Sequence, residues 1–424
     1  MNKHLGRPFA FLIRMLLGVG FVVWGGMTAH ADSEPEVGPT TAAGLPAEAG
    51  LEPFLGPPRF DTQSLFEDQR LPNVVVTTDG TVLAVWGWGQ VRVRRSEDGG
   101  ETWGPEIGLH PGLNSGGAVV DETRGDILVF TEEKHPPAPL HVFRSRDQGK
   151  TWVRQEVVIH PDEKGHVPSM CMNERGITLR HGERAGRLLR PARWYGPSNA
   201  REYWPEHYTN AVYSDDGGRT WHTSAPFPAM GTGEATVAEL ADGRIYYNSR
   251  RHLSTDGRNP RRRHIAWSDD GGASWEDLSV SEVLPDGEQY RDYGLMAGLV
   301  RLPVAGRDIL IFSNVVVDTG ARRNGHVWAS FDGGQSWPLI RTVDPGGFAY
   351  SSLAAGRPGT PSGGWIYLLY ETGGHPGSSA RLARFNLSWV LQGEATGDGQ
   401  VPEWAGSAAV DDGAEGNESE FPAN

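Results

Sequence analysis

Short apolar runs separated by turns recur along most of the chain. They include "NVVVTTDGTVLAV" from Asn73, "DILVF" from Asp126, "RIYYNSR" from Arg244, "DILIFSNVVV" from Asp308 and "WIYLLY" from Trp365. Their length and their β-branched and aromatic residues are typical of strands, and helical periodicity of useful length is almost absent. The chain also has 57 glycines and 30 prolines to form turns. The pattern therefore predicts an all-β, turn-dense domain.

One turn sequence is used five times. The segments are "SEDGGETW" from Ser96, "SRDQGKTW" from Ser145, "SDDGGRTW" from Ser214, "SDDGGASW" from Ser268 and "SFDGGQSW" from Ser330. All fit S-x-D-x-G-x-(T/S)-W, and each interval is long enough for one four-stranded antiparallel sheet. Such a repeat is the signature of propeller blades. The aspartate is expected to accept backbone hydrogen bonds and the glycine to take positive φ, which makes the turn structural.

The two ends of the chain differ from this pattern. Three basic residues precede the apolar run "MLLGVGFVVWGGM", and the small residues "AHA" follow at 29–31. This order predicts a secretory signal peptide over residues 1–31, cleaved after Ala31, and hence a secreted or periplasmic protein; an uncleaved anchor is the alternative. Composition predicts a disordered linker over 32–58 and an acidic disordered tail over 393–424. The domain is then expected over 59–392.

Charge and cysteine content exclude several functions. The formal net charge is −14, and loss of the three basic residues of the signal peptide takes it to about −17. Such a chain is a poor binder of nucleic acid or anionic membranes, so an anionic substrate requires cationic side chains concentrated at its site. The single cysteine, Cys171, excludes an intrachain disulfide and a multi-thiolate zinc site. No HExxH motif or phosphate-binding glycine loop is present, and neither a metal nor an organic cofactor is predicted.

The repeats and the segments between them resemble the sialidase (neuraminidase) superfamily, and bacterial exo-α-sialidases in particular, in which the repeats are called Asp boxes. The resemblance covers roughly residues 59–392 and implies a six-bladed β-propeller in which one blade lacks an Asp box. It also implies that a strand near residues 59–66 closes the ring against the C-terminal strand "RLARFNLSWV".

Motifs of this superfamily supply the candidate site residues. "RLP" matches an Arg-Ile-Pro motif, "GEATVAELADGRIYYNSR" matches the stretch with the catalytic glutamate and second arginine, and "ARRNGHV" matches the third arginine, with Arg323 as an alternative to its neighbour. "FAYSSL" matches the stretch with the tyrosine nucleophile, and "WIYLLYE" ends in a glutamate that orients the first arginine. The resemblance thus assigns catalysis to Tyr350 and Glu234, and substrate binding to Arg70, Arg250, Arg322 and Glu371.

These residue types suit a sugar that carries a carboxylate on its anomeric carbon. Guanidinium groups are permanent, planar donors that clamp a carboxylate. A neutral phenol avoids the repulsion that an aspartate nucleophile would meet, and it needs a base beside it, here Glu234. The expected reaction is release of terminal sialic acids from glycoconjugates with retention, through a tyrosyl-glycosyl intermediate.

One element of the superfamily is missing. Its members usually carry an aspartate acid/base in a long loop after the first strand, whereas here only "WGWGQVRV", residues 86–93, fills that interval. The role could pass to Asp68, Glu132, Glu133 or His135, with Trp86 and Trp88 stacking on sugar faces or packing in the core. Alternatively, the chain could act on substrates with good leaving groups, or as a hydrolase, lyase or transferase for another carboxylated sugar. It could also be a non-catalytic glycan-binding propeller.

Overall fold

The computed structural model describes most of the chain. The described ranges are 44–253, 256–258, 261–286, 295–316 and 322–406. The predicted signal peptide, residues 1–31, lies outside them.

Strands dominate the described residues. In chain order they are β1 Phe60–Phe66, β2 Pro72–Val76, β3 Val82–Trp86, β4 Trp88–Ser96, β5 Ile107–Asp121, β6 Asp126–Glu132, β7 Leu140–Ser145, β8 Val153–Gln155, β9 Val158–His160, β10 Ile177–Thr178, β11 Leu188–Trp194, β12 Tyr208–Ser214, β13 Thr220–Thr223, β14 Thr232–Glu239, β15 Ile245–Arg251, β16 Arg262–Ser268, β17 Glu276–Pro285, β18 Gly298–Arg301, β19 Leu310–Val315, β20 Arg323–Ser330, β21 Leu339–Gly347, β22 Ser351–Ala355, β23 Ile366–Glu371, β24 Ala380–Phe385 and β25 Glu394–Ala395.

Helices are few and short. Two are α-helical, α1 Leu387–Leu391 and α2 Glu403–Gly406, and three are 3-10 turns, Glu52–Phe54, Gly182–Arg184 and Arg201–Glu206. Within the described ranges, no helix has the length and apolar character that a membrane crossing requires.

The strands pair into sheets in which most neighbours are sequential and antiparallel, whereas β9 pairs in parallel with β13. The sheet orders are β1-β24-β23-β22, β2-β3-β4-β5-β6-β7-β8, β10-β11-β12-β13-β9, β14-β15-β16-β17 and β18-β19-β20-β21-β25. β2, β5, the pair β10 and β11, β14, β18 and β22 lie side by side in this order around a common centre, and β22 lies beside both β18 and β2. The result is an all-β, propeller-like arrangement. The predicted closure is present, because β1 pairs antiparallel with β24.

The core lies between neighbouring sheets. For example, Val74, Val82 and Trp86 of one sheet pack with Leu369 and Leu382 of the next. Strands such as β6 and β23 are buried along their whole length. Burial on both faces explains why these strands are continuous apolar runs rather than alternating ones.

The five repeated segments form the same turn. In the first, the Ser96 hydroxyl donates to Asp98 (2.7 Å) and accepts from the Gly100 N–H (2.8 Å), while Asp98 also accepts from the Thr102 N–H (2.9 Å). Equivalent bonds link the serine and aspartate in the other four segments. Each serine and aspartate is thus occupied within its own turn.

Both predicted disordered segments are partly ordered. In the linker, Leu51 and Phe54 are buried in the core and Ala49 bridges to Val304. In the tail, Ala395 pairs with Leu339, and Trp404 packs edge-on against Phe331. Isolated apolar anchors in a polar, glycine- and alanine-rich segment are enough to dock it, and average composition does not show them. "NLSWV" also differs from the prediction, since Asn386 caps a helical turn there instead of continuing the strand.

Candidate functional site

Arg70 lies in a strained turn directly before β2. Asp68, Gln69 and Leu71 all have positive φ (59°, 61° and 72°), a conformation that costs a non-glycine residue of order 1 kcal/mol or more and persists only where the surroundings enforce it. The segment of residues 86–93, where β3 passes into β4 (the short link), helps to hold this turn in its strained conformation. Gly87 N–H donates to the Arg70 carbonyl (3.0 Å), and the Gln69 side chain accepts from the Trp88 N–H (2.9 Å).

Glu371, the last residue of β23, completes the fixation of this turn. Its carboxylate accepts from Arg70 Nε (3.1 Å) and Nη2 (3.1 Å), and from the Leu71 N–H (3.0 Å). Its backbone N–H donates to the Tyr350 carbonyl (2.9 Å). Glu371 therefore couples the position of Arg70 to that of Tyr350, which directly precedes β22.

Glu234 is aimed by a bulge in β14. Thr232 pairs with Arg251 and Ala235 with Ser249, so two residues of β14 face the single residue Arg250 of β15. Bulges redirect side chains next to functional sites. Here the Glu234 carboxylate forms a buried ion pair with Arg250 Nη1.

Tyr350 and Glu234 form a hydrogen-bonded pair among arginines. The Tyr350 hydroxyl donates to Glu234 Oε1 (2.7 Å), and its ring lies 4.7 Å from Arg70 Cζ and 5.1 Å from Arg322 Cζ. Burial opposes ionisation of Glu234, but Arg250, His252 and Arg193 together outweigh it and hold the carboxyl pKa well below its usual range. Burial and then Glu234 raise the pKa of Tyr350, against the opposing effect of the arginines. The pair is thus an ionised carboxylate that accepts from a neutral phenol.

The structure distinguishes Arg322 from Arg323. Arg322 faces the Tyr350 ring and donates to the Gly374 carbonyl (3.3 Å), whereas Arg323 is exposed to solvent. Gly374 permits this approach, because a Cβ at that position would lie 2.4 Å from Arg322 Cδ. The six residues selected from the motifs therefore lie in one cluster.

A second cationic group adjoins this cluster and was missed from the sequence. Arg193 of β11 is 1% exposed and contacts His207 Nδ1 (2.7 Å) and His252 Nε2 (3.4 Å). His252 in turn lies 3.5 Å from Glu234. Burial and Arg193 lower the pKa of His207 to about 3, so this imidazole is neutral. An arginine within a strand is normally read as exposed, and no motif singled out Arg193.

The candidate substitutes for the missing aspartate lie in different environments. Asp68 is 64% exposed and paired with Arg92 (2.7 Å), and Glu133 is 52% exposed and paired with His141 (3.0 Å). Glu132 is buried, where it accepts from the Ser169 hydroxyl (2.7 Å) and the Met170 N–H (3.1 Å). His135 is partly buried beside Trp88 and Tyr195.

The two tryptophans of the short link, Trp86 and Trp88, also lie in different environments. Trp86 is fully buried and stacks on Phe66 at 6.0 Å, so it belongs to the core. Trp88 is partly exposed, with its ring 5.8 Å from Arg70 Cζ and 6.4 Å from the His135 ring. Only Trp88 borders the cluster.

The arrangement can bind an anion and activate a phenol beside it. Among the described residues, no group of three or more His, Cys, Asp or Glu side chains is placed to hold a metal ion.

Comparisons with known proteins agree with this arrangement. Residues 143–361 match the family described as BNR repeat-like domain. The chain is 31% identical to a sialidase of Micromonospora viridifaciens, over 82% of this chain and 56% of that protein. It is 28% identical to an anhydrosialidase of Macrobdella decora, over 62% of this chain and 34% of that protein. The chain thus spans about half the length, or less, of these relatives.

Solved structures show the same fold. The Hadza microbial sialidase Hz136 superposes with a TM-score of 0.58 at 24% identity, covering 76% of this chain and 66% of that one. The intramolecular trans-sialidase of Ruminococcus gnavus, in complex with oseltamivir carboxylate, gives a TM-score of 0.58 at 17% identity, covering 80% of this chain and 96% of that one.

Proposed function

The chain belongs to the sialidase superfamily through its BNR repeat-like domain, and from this premise we propose that it is an exo-α-sialidase-like hydrolase that releases terminal sialic acids with retention. The observation that carries the proposal is the hydrogen bond of 2.7 Å from Tyr350 to Glu234 inside a group of arginines. A buried phenol next to an ionised carboxylate is the arrangement expected of an activated nucleophile.

Each residue of the cluster then has a role. Arg70, Arg250 and Arg322 bind the substrate carboxylate, and Glu371 holds Arg70 in place through its two hydrogen bonds. Tyr350 attacks the anomeric carbon while Glu234 takes the phenolic proton. Arg250 stabilises the negative charge both before and after this proton transfer. Before the transfer it pairs with the Glu234 carboxylate, and after the transfer its positive charge stabilises the Tyr350 phenolate.

The proposal includes six blades. In the seven-stranded sheet, β5 is 15 residues long and pairs with both β4 and β6. Its first part closes one blade as an outer strand, and its last part opens the next as an inner strand. Counting this sheet as two blades gives six, five of which end their third strand in an Asp box. The sixth, formed by β22, β23, β24 and β1, has none.

The substrates and the location of the protein follow from the same proposal. Terminal sialic acids occur on glycoconjugates outside the cell, and a signal peptide over residues 1–31 would deliver the protein there or to the periplasm. Sialylated glycans are then its partners.

Tyr350→Phe tests the proposed function, with α2,3- and α2,6-sialyllactose as substrates. The wild-type chain is expected to release free sialic acid, with the α-anomer formed first in a proton NMR time course. Tyr350→Phe is expected to lower kcat by about 1,000-fold or more, because the phenolic oxygen that attacks the anomeric carbon is lost.

The product separates the competing activities. A 2,7-anhydro sugar from the wild-type chain would indicate an intramolecular transfer. Binding of sialyllactose without any product, unchanged in Tyr350→Phe, would indicate a binding protein and would refute the proposal.

A further inference from the structure

A series of side-chain contacts leads from Arg70 around the site to Glu234, and it has two parts. Starting from Arg70, the Trp88 ring lies 5.8 Å from the guanidinium carbon, the His135 ring 6.4 Å from Trp88, and the Tyr195 ring 5.4 Å from His135. This arc runs past the short link, where the superfamily's acid/base loop is absent. His135 is its one titratable imidazole.

The other arc returns to the nucleophile. Arg193 Cζ lies 4.2 Å from the Tyr195 ring, and His252 connects Arg193 (3.4 Å) to Glu234 (3.5 Å). The Tyr195 hydroxyl donates to the Cys171 carbonyl (3.2 Å), and Met172 Sδ lies 3.5 Å from the Tyr350 hydroxyl. These contacts form a closed series, so His135 borders the same site as Tyr350.

We infer that His135 is the general acid/base of this site, in place of the aspartate that the superfamily carries. The inference rests on the proposed hydrolase function and assigns the proton donor that this function lacks. Glycosidic oxygens need a proton as the bond breaks, and such a group typically contributes about 10²–10⁴-fold to the rate.

The other acids near this region are occupied elsewhere. Asp68 and Glu133 are more than half exposed, and each is paired with a neighbour, Arg92 and His141. Glu132 lies against the segment that begins at Ser169 and is 1% exposed. Burial raises its pKa to about 7, which makes it the strongest competitor and requires its own variant in the test.

The local bonds of His135 suit proton transfer at Nε2. Nδ1 lies 3.2 Å from the Pro136 carbonyl, which can only accept, so Nδ1 carries a hydrogen. Nε2 lies 3.4 Å from the Asn199 amide group, which can donate to a neutral ring or, turned over, accept from a protonated one. The charged groups that bear on the ring are Arg193 and Glu234. Burial lowers the His135 pKa and Arg193 adds to this, whereas the Pro136 carbonyl and Glu234 oppose it.

The reaction balances with these residues alone and one water molecule. As Tyr350 Oη bonds to the anomeric carbon and gives its proton to Glu234, His135 Nε2–H protonates the departing glycosidic oxygen. In the second step the neutral His135 takes a proton from the attacking water. The water oxygen bonds to the anomeric carbon, and Tyr350 leaves and recovers its proton from Glu234.

The experiment compares leaving groups in His135→Ala. Sialyllactose needs a proton on its leaving oxygen, whereas 4-methylumbelliferyl sialoside does not. We expect kcat/KM for sialyllactose to fall about 10²–10⁴-fold, with less than a 10-fold loss of the first-step rate for the aryl substrate. Sodium azide, which needs no general base, is expected to speed turnover of the aryl substrate by His135→Ala and to yield the α-sialyl azide.

Variants of the other three candidate acids test whether the leaving-group effect belongs to His135 alone. Glu132→Gln, Glu133→Gln and Asp68→Asn are expected to change the ratio of the two substrates less than threefold. The inference is overturned if His135→Ala loses both activities equally without azide rescue, or if Glu132→Gln shows the leaving-group dependence instead. If the wild-type chain cleaves neither substrate, the proposed function fails, which is a separate result.

Discussion

The strands around the common centre, from β2 to β22, have two ends that differ in how their arginines are neutralised. At the end opposite Tyr350, a cavity of about 100 Å³ is lined by arginines and glutamates in similar numbers. Arg357 pairs with Glu122 (2.5 Å), Arg180 pairs with the same carboxylate, and Arg301 pairs with Glu48 and with Asp308 (2.9 Å). Three arginines at this end are thus paired with three carboxylates of the protein itself.

At the Tyr350 end the arginines outnumber the carboxylates. Arg70 pairs with Glu371 and Arg250 with Glu234. Arg193 and Arg322 have no carboxylate within 4.0 Å among the residues that the structure describes. A buried guanidinium without a counterion is costly unless a ligand supplies one. The comparison teaches that excess charge, rather than the presence of arginines or of a cavity, distinguishes the end at which we propose that an anion binds.

Replacing one arginine at each end with glutamine is the strongest test of this comparison. Arg322→Gln removes a cation that lacks a carboxylate partner, so we expect kcat/KM for sialyllactose to fall about 100- to 1,000-fold. Its free energy of unfolding should stay within about 0.5 kcal/mol of the wild-type value or increase, since no ion pair is broken. Initial rates and urea unfolding measure the two quantities on the same preparation.

Arg301→Gln is the matched control at the balanced end. It removes the arginine of Asp308 and leaves Glu48 only its longer contact with Arg180 (3.8 Å), and we expect about 3 kcal/mol of lost stability with kcat/KM changed less than twofold. A loss of activity in Arg301→Gln at a temperature where it is folded would contradict the division between the two ends.

The motifs select residues that lie together in the structure, whereas composition does not show the apolar anchors of the two terminal segments. The six motif residues, from Arg70 to Glu371, lie together because strand ends at one face of a ring are brought together whatever their separation in the chain. Arg193 could not be found in this way. Its position depends on contacts with His207, which directly precedes β12, and with His252, which directly follows β15.

The short link after β3 shows what sequence could and could not settle. Its lack of an acidic residue was evident, and so was the need for a substitute. Its support of the Arg70 turn through Gly87 and Trp88 was not, since positive φ at Asp68, Gln69 and Leu71 has no signature in non-glycine residues. Strain enforced by tertiary contacts is invisible to local propensity.

Buried carboxyl groups predict a second, smaller effect, which is a change of folding stability with pH. Burial raises the pKa of Glu174 to about 8 and that of Glu132, Glu239 and Asp286 to about 7. Between pH 6.5 and 8 the folded state holds protons that the unfolded state has lost, so stability falls as pH rises. Histidines with lowered pKa act in the opposite direction only below about pH 6.5.

We expect a fall on the order of 2 kcal/mol between pH 6.5 and 8, measured by urea unfolding. Glu174→Gln should flatten this slope. Gln keeps the bond from the Ser352 hydroxyl, 2.6 Å in the wild-type chain, but cannot ionise. An unchanged slope in Glu174→Gln would mean that its carboxyl is not protonated in this range.

The smallest expected effect lies in the repeated turns, far from either end of the comparison. Asp98→Ala removes the acceptor for the Ser96 hydroxyl and for the N–H groups of Glu101 and Thr102. By analogy with lost side-chain caps, this should cost about 1 kcal/mol of stability and leave kcat/KM unchanged. Hydrogen bonds to the carboxylate lower the Asp98 pKa to about 2 against desolvation, so in the wild-type chain this contribution is lost only as pH falls below about 4. Asp147→Ala, in the second turn, should give the same values, because its carboxylate accepts equivalent bonds from Ser145 and Thr151. A selective loss of activity in either variant would show that the turns do more than hold the blades.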